Sequence, residues 1–194
     1  QTWKKRFLNL NKTIIIIFNH ILIITISFVF NFDNNSSGLI SGSSSSDYIL
    51  SLGGDDIVNA GSGNDTVDGG DGNDTVTVNG SGSNILLGGA GDDTLTINHS
   101  TDYYYQRDQA SKASNTLTGG AGNDRLEGSV GAETYVFNKG DGQDTINDFD
   151  HNSRSTSAGW GKTDKIVLGA DITKEDLSIQ RVGNHLVLFI GGAG

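Results

Sequence analysis

The sequence predicts an all-β fold, in which short parallel strands stack into a solenoid closed by a β cap at the C-terminal end. Three observations predict it. Asp47, Asp56, Asp65 and Asp74 recur at a spacing of nine, each followed two residues later by an apolar side chain, Ile49, Val58, Val67 and Val76. Glycines two apart precede these aspartates, as in Gly61-Ser62-Gly63 and Gly70-Asp71-Gly72. The chain has 28 Gly and no Pro, Cys or Met, and most of its acidic residues are Asp, which favours turns over helices.

Charge narrows the chemistry. Thirteen basic and 23 acidic residues give a net charge of −10, which argues against a nucleic-acid partner. Aspartates this dense beside glycine repel one another and lack the apolar surface to fold easily unless cations bind them. Without cysteine there is neither a disulfide nor a thiolate site, and hard oxygen ligands point to calcium rather than zinc.

The first element, residues 1–32, is apolar from residue 13 to residue 32 behind Lys4, Lys5, Arg6 and Lys12. Its length fits a spanning helix with the repeats outside, and an export signal is a rival, although no small-x-small cleavage site follows. Its Ile-rich, β-branched composition equally fits a buried strand pair, so its role stays open.

Residues 33–150 carry the repeat. Read as G-G-x-G-x-D-x-U-x, where U is apolar, the best copies span 60–68, 69–77, 88–96 and 119–127. In each, paired glycines permit positive φ and turn successive carbonyls to one side, the Asp adds a charged ligand, and x-U-x is extended with U pointing inward. Two nonapeptides make one coil, so Asp47 stacks near Asp65 and Asp56 near Asp74 on opposite edges. A Ca²⁺ between turns, with six or more oxygens at about 2.3–2.6 Å, converts the repulsion into a crosslink and couples binding to folding. A flexible Gly/Asp linker has no need of the apolar phase Ile49, Val58, Val67, Val76, Ile85. In residues 78–86, Ser83 takes the Asp place, which weakens that site, and Leu87 reads as a one-residue insertion. Residues 98–114, with Tyr103, Tyr104, Tyr105, Arg107 and Lys112, break the repeat and predict a loop insertion packed over the roll.

These copies resemble the calcium-binding nonapeptides of the RTX, or haemolysin-type, family. The resemblance implies a right-handed parallel β-roll whose Ca²⁺ ligands are the position-six aspartates and turn carbonyls including those of the glycines at positions two and four. Carried onto this chain, these are Asp56, Asp65, Asp74, Asp93 and Asp124, with Gly54, Gly61, Gly63, Gly70, Gly72, Gly89, Gly91, Gly120 and Gly122. Asp47 stands in a serine-rich turn and is expected to cap the roll. Glu133, in the copy from Gly128 with Tyr135 inward, is expected to form a partial site. Asp144 and Asp148, in a segment similar to the one that closes the roll in the family, are expected to hold a last ion. From Asp148 the sequence also begins like an EF-hand loop, but Ser153 and Gly159 stand where Gly and Glu are needed.

Residues 151–194 read as a C-terminal flanking β region, with a strand after Asp164 and a hairpin around Gly183-Asn184, and the chain stops in what reads as mid-repeat. No H-E-x-x-H helix and no G-x-S-x-G elbow is present, and His20, His99, His151 and His185 are scattered, so no enzyme is expected. The expected function is calcium binding that drives folding of a secreted bacterial protein, a toxin or exoenzyme, exported by type I secretion machinery as the resemblance implies. The alternative is a calcium-rigidified spacer of a cell-surface adhesin or surface-layer protein, with membrane contact only through residues 13–32.

Overall fold

The structure, a computed structural model, describes residues 12–16, 24–30, 36–98, 113–129, 131–148, 163–182 and 185–190. Two sheets face each other. One contains, in spatial order, β1 (Lys12–Ile16), β2 (Ile24–Phe30), β4 (Asp47–Leu50), β6 (Thr66–Asp71), β8 (Ile85–Ala90), β10 (Ser114–Ala121), β12 (Ala132–Phe137) and β14 (Lys165–Leu168). The other runs β3 (Leu39–Ser43), β5 (Ile57–Gly61), β7 (Thr75–Asn79), β9 (Thr94–Asn98), β11 (Arg125–Glu127) and β13 (Thr145–Asn147). From β3 to β14 the chain alternates between sheets and every pairing within a sheet is parallel, so it winds as a β-solenoid.

The period of two within each short strand creates the core. Val67, Val76, Leu95 and Leu126 point inward and are fully buried, while their flanking residues, among them Thr66, Thr75 and Thr77, face outward. Ile49, Val67, Leu86, Leu117 and Tyr135 form one inner column, and Ile40, Val58, Val76, Leu95 and Leu126 the other. Ala60, Val78 and Ile97 fill the side of the core where the second sheet's strands run on by two residues.

One expectation is corrected. The apolar phase slips after Val76: Leu86, 0% exposed, is the inward residue paired with Val67, whereas Ile85 is 47% exposed and pairs with Thr66. The extra residue therefore lies in the turn ahead of Asn84, not at Leu87. Asn84 rather than Ser83 occupies the Asp place, and its amide oxygen accepts from Asp65 N at 2.9 Å. A turn absorbs an added residue without disturbing the ladder, whereas an insertion after the inward residue would turn the following strand inside out.

At the ends, β1 and β2 pair antiparallel, and β2 continues the first sheet by parallel pairing with β4, the geometry of the strand-pair reading. No described helix is long and apolar enough to cross a membrane. The strand expected after Asp164 is the last of the first sheet, with Leu168 opposite Phe137, and β15 (Leu177–Val182) and β16 (His185–Ile190) form the expected hairpin. The three adjacent tyrosines, the residues after Asp148 that began like an EF-hand, the hairpin turn at Gly183-Asn184 and the last four residues lie outside the described residues.

Candidate metal centre

Each coil has two turns. On the first edge the turns lead from the second sheet into the first and end at Asp47, Asp65, Asn84, Asn115, Glu133 and Asp164. On the second they lead back and end at Asp56, Asp74, Asp93, Asp124 and Asp144. The second edge carries an unbroken carboxylate ladder. Backbone N–H groups donate to Oδ1 one coil on, Asp56 to Asp74 at 2.7 Å, Asp74 to Asp93 at 2.7 Å, Asp93 to Asp124 at 2.8 Å and Asp124 to Asp144 at 3.0 Å. The first edge keeps the same ladder from Asp47 N to Asp65 at 2.9 Å, but its middle rungs are amides, with Asn84 N donating to Asn115 Oδ1 at 3.0 Å.

The ladder uses one oxygen of each carboxylate and leaves the other. Oδ2 of Asp65, Asp74, Asp93 and Asp124 and Oε2 of Glu133 are buried without a hydrogen-bond partner among the described residues. A buried, unsatisfied carboxylate oxygen is costly, and cations bound along each edge would satisfy these five. The backbone around them fits one. A methyl group placed on Gly69 would lie 2.5 Å from both Asp74 Oδ2 and the carbonyl oxygen of Gly88 one coil on, and Gly88 stands in the same relation to Asp93 and Gly119. Thus a carboxylate and a peptide oxygen converge on a space kept open by a side chain of one hydrogen. All nine glycines assigned from the motif lie at positive φ, from 90° at Gly61 to 153° at Gly122. Calcium, when bound, supplies the positive charge that these oxygens lack.

Gly89 illustrates the constraint. Its φ is +122°, and a Cβ there would collide with the carbonyl oxygen of Gly70. Gly89→Ala is expected to lose more than about 2 kcal/mol, because left-handed strain of about 1–2 kcal/mol adds to the clash. Thermal unfolding in saturating calcium measures it, and an unchanged midpoint would refute the strain. Leu52, at the same position of the first full turn, adopts φ +78° without being glycine.

Burial pushes these carboxyls upward, opposed by the ladder N–H and reinforced by neighbouring carboxylates. Asp65 reaches about 6 and Asp93 about 7, and Asp74 and Asp124 also rise. Asp144 rises to about 6 for the same reasons. Glu133 rises to about 7 through burial, with the Asn115 amide opposing and Asp148 and Asp164 adding to it.

The weaker candidates separate. Asp47 is buried, but its Oδ2 accepts from Ser43 N at 2.5 Å and its Oδ1 from the Ser43 hydroxyl at 3.2 Å, the serine-satisfied turn expected of a cap. Asp144 and Asp148 do not share a site. They bracket β13, and four residues of extended chain put them about 13 Å apart on opposite edges.

Two features escaped the sequence reading. The glycines at position one, Gly69, Gly88 and Gly119, lie directly against the Oδ2 atoms of Asp74, Asp93 and Asp124. Position five forms a second ladder in the reverse direction, from Asn73 N to Asp55 at 2.8 Å, Asp92 N to Asn73 at 2.7 Å and Asn123 N to Asp92 at 2.8 Å. Its signal was present, since position five of the best copies is always Asn or Asp.

Residues 41–76, 78–96 and 110–146 match the family described as RTX calcium-binding nonapeptide repeat (4 copies). No curated protein matches the chain. Stacked parallel coils, buried aspartates whose free oxygens face main-chain carbonyls, and this match across residues 41–146 together place the chain in the RTX calcium-binding nonapeptide repeat family, as a β-roll that binds calcium.

Proposed function

We propose that the chain is a calcium-triggered folding module of a secreted protein and catalyses no reaction of its own. The carrying observation is the row of buried carboxylate oxygens that have no hydrogen-bond partner among the described residues. Without cations these charges oppose stacking of the coils, and with calcium the same oxygens join one coil to the next. Extracellular calcium modules bind at about 10⁻⁴–10⁻³ M, a range in which such a module stays unfolded inside a cell and folds outside it. The position-six carboxylates are taken up by ladders and cradles, which leaves no acid–base pair among them for chemistry.

A far-ultraviolet circular dichroism titration of the chain with CaCl₂, and with MgCl₂ as control, tests this. The expected result is a cooperative gain of β signal with calcium alone. A spectrum already folded in chelator would refute the switch and favour a rigid spacer, as in a surface adhesin.

A further inference from the structure

At the last repeat, the first edge ends in a cluster that departs from the nonapeptide pattern. Carboxylate oxygens of Glu133, Asp148 and Asp164 lie within 4.8 Å of one another, inside the roughly 5 Å that two oxygens on one calcium ion can span. Glu133 is fully buried, and its Oε2 has no hydrogen-bond partner among the described residues, while Oε1 accepts from Asn115 Nδ2 at 3.0 Å. Asp164 Oδ1 accepts from Glu133 N at 3.0 Å, and the Tyr135 hydroxyl donates to Asp148 Oδ2 at 3.0 Å.

Register explains the placement. Glu127 pairs with Asn147, and Gly128 N donates to Asn147 O at 2.9 Å, so Asp148 follows Asn147 as Gly128 follows Glu127. Asp148 therefore stands to Glu133 as Gly119 stands to Asp93, at position one of the next coil. In the repeats that place offers a main-chain carbonyl. Here a Cβ on Gly128 would lie 3.0 Å from Asp148 Oδ1, so a side-chain carboxylate enters the cradle instead.

We propose that Glu133, Asp148 and Asp164 form a calcium site distinct from the nonapeptide turns. The site fastens the start of β14 to the exit of β13 and so closes the last coil across residues 149–162. It rests on the calcium reading of the repeats, and it replaces the partial nonapeptide site expected at Glu133. Three carboxylates give it more charge than a repeat turn, whose ligands include main-chain carbonyls.

The test is calcium stoichiometry by isothermal titration calorimetry on the whole chain, compared with Asp148→Asn and Asp164→Asn, with circular dichroism in parallel. Each variant is expected to bind one ion fewer while keeping the calcium-induced β signal. Terbium gives a second readout, because an ion here lies beside Tyr135. Tyr135→Phe, which keeps all three carboxylates, is expected to lose part of the tyrosine-sensitised emission with no loss of stoichiometry. Wild-type stoichiometry in both carboxylate variants, or unchanged emission in Tyr135→Phe, would overturn this site alone. A wild-type chain that gains no β signal with calcium would overturn the repeat reading and this site with it.

Discussion

Asp93→Ala is expected to abolish calcium-dependent ordering of the coils around it, whereas Asp93→Asn is expected to keep the coils and lose the ion. Asp93 does two things with two oxygens. Oδ1 accepts from Asp74 N at 2.7 Å, and Oδ2 is the buried oxygen left for calcium. Alanine removes both and leaves a buried N–H without an acceptor, at a cost of about 1–3 kcal/mol. The lost ion removes about 2.7 kcal/mol more when calcium is at a hundredfold excess over its dissociation constant. Asparagine retains the amide oxygen that serves Asn84 and Asn115 as rungs on the other edge. In chelator at pH 8, Asp93→Asn should even hold more residual β signal than the native chain, since a neutral group replaces a buried charge. Calorimetric calcium binding and melting of the three proteins decide the matter. Equal calcium stoichiometry in all three would refute the assignment of Asp93 as a ligand.

The second large effect is a reversal of pH dependence by calcium. Asp65 and Asp144 sit near 6 and Asp93 and Glu133 near 7 in the folded chain, all above ordinary carboxyl values near 4. A carboxyl raised on folding means that the folded state holds more protons. Its contribution is complete below about pH 4 and is lost as pH rises through about 6–7. The metal-free chain, unstructured at pH 8, should therefore gain β signal as pH falls to 5. Calcium needs the deprotonated form, so its affinity should fall over the same interval as pH drops. In chelator the β signal should rise as pH falls from 8 to 5, whereas in millimolar calcium the melting temperature should fall over the same interval. A metal-free β signal that rises with pH would show that these groups are not buried as described.

The coil, the inward residues and the five principal aspartates were legible because each depends on strict spacing. Position six had to face the turn, and the residue two later had to face the core, so Asp65 fixed Val67 and Asp93 fixed Leu95. The slip before Asn84 was not legible. Ile85, Leu86 and Leu87 are all apolar, and hydrophobicity alone cannot say which of three consecutive apolar residues turns inward. Only pairing with Val67 and Leu117 selects Leu86. The Glu133 cluster was half legible. Glu133 lay in a repeat and Asp148 in the closing segment, but Asp164 joins them from 31 residues beyond Glu133, a separation that periodicity does not encode.

The two long breaks in the repeat have a geometric consequence. The described chain breaks off after Asn98 and resumes at Ala113, and breaks off again after Asp148 and resumes at Thr163, all four ends on the first edge, while the second edge runs from Asp56 to Asp144 without such a break. Their anchor points are two rungs apart, about 10 Å along the axis at the usual strand spacing. The roll is thus a ruler with a graduated side and a plain one. Any peptide exchanged for either segment would be tethered on the graduated side, at an interval set by main-chain pairing and independent of what the peptide contains.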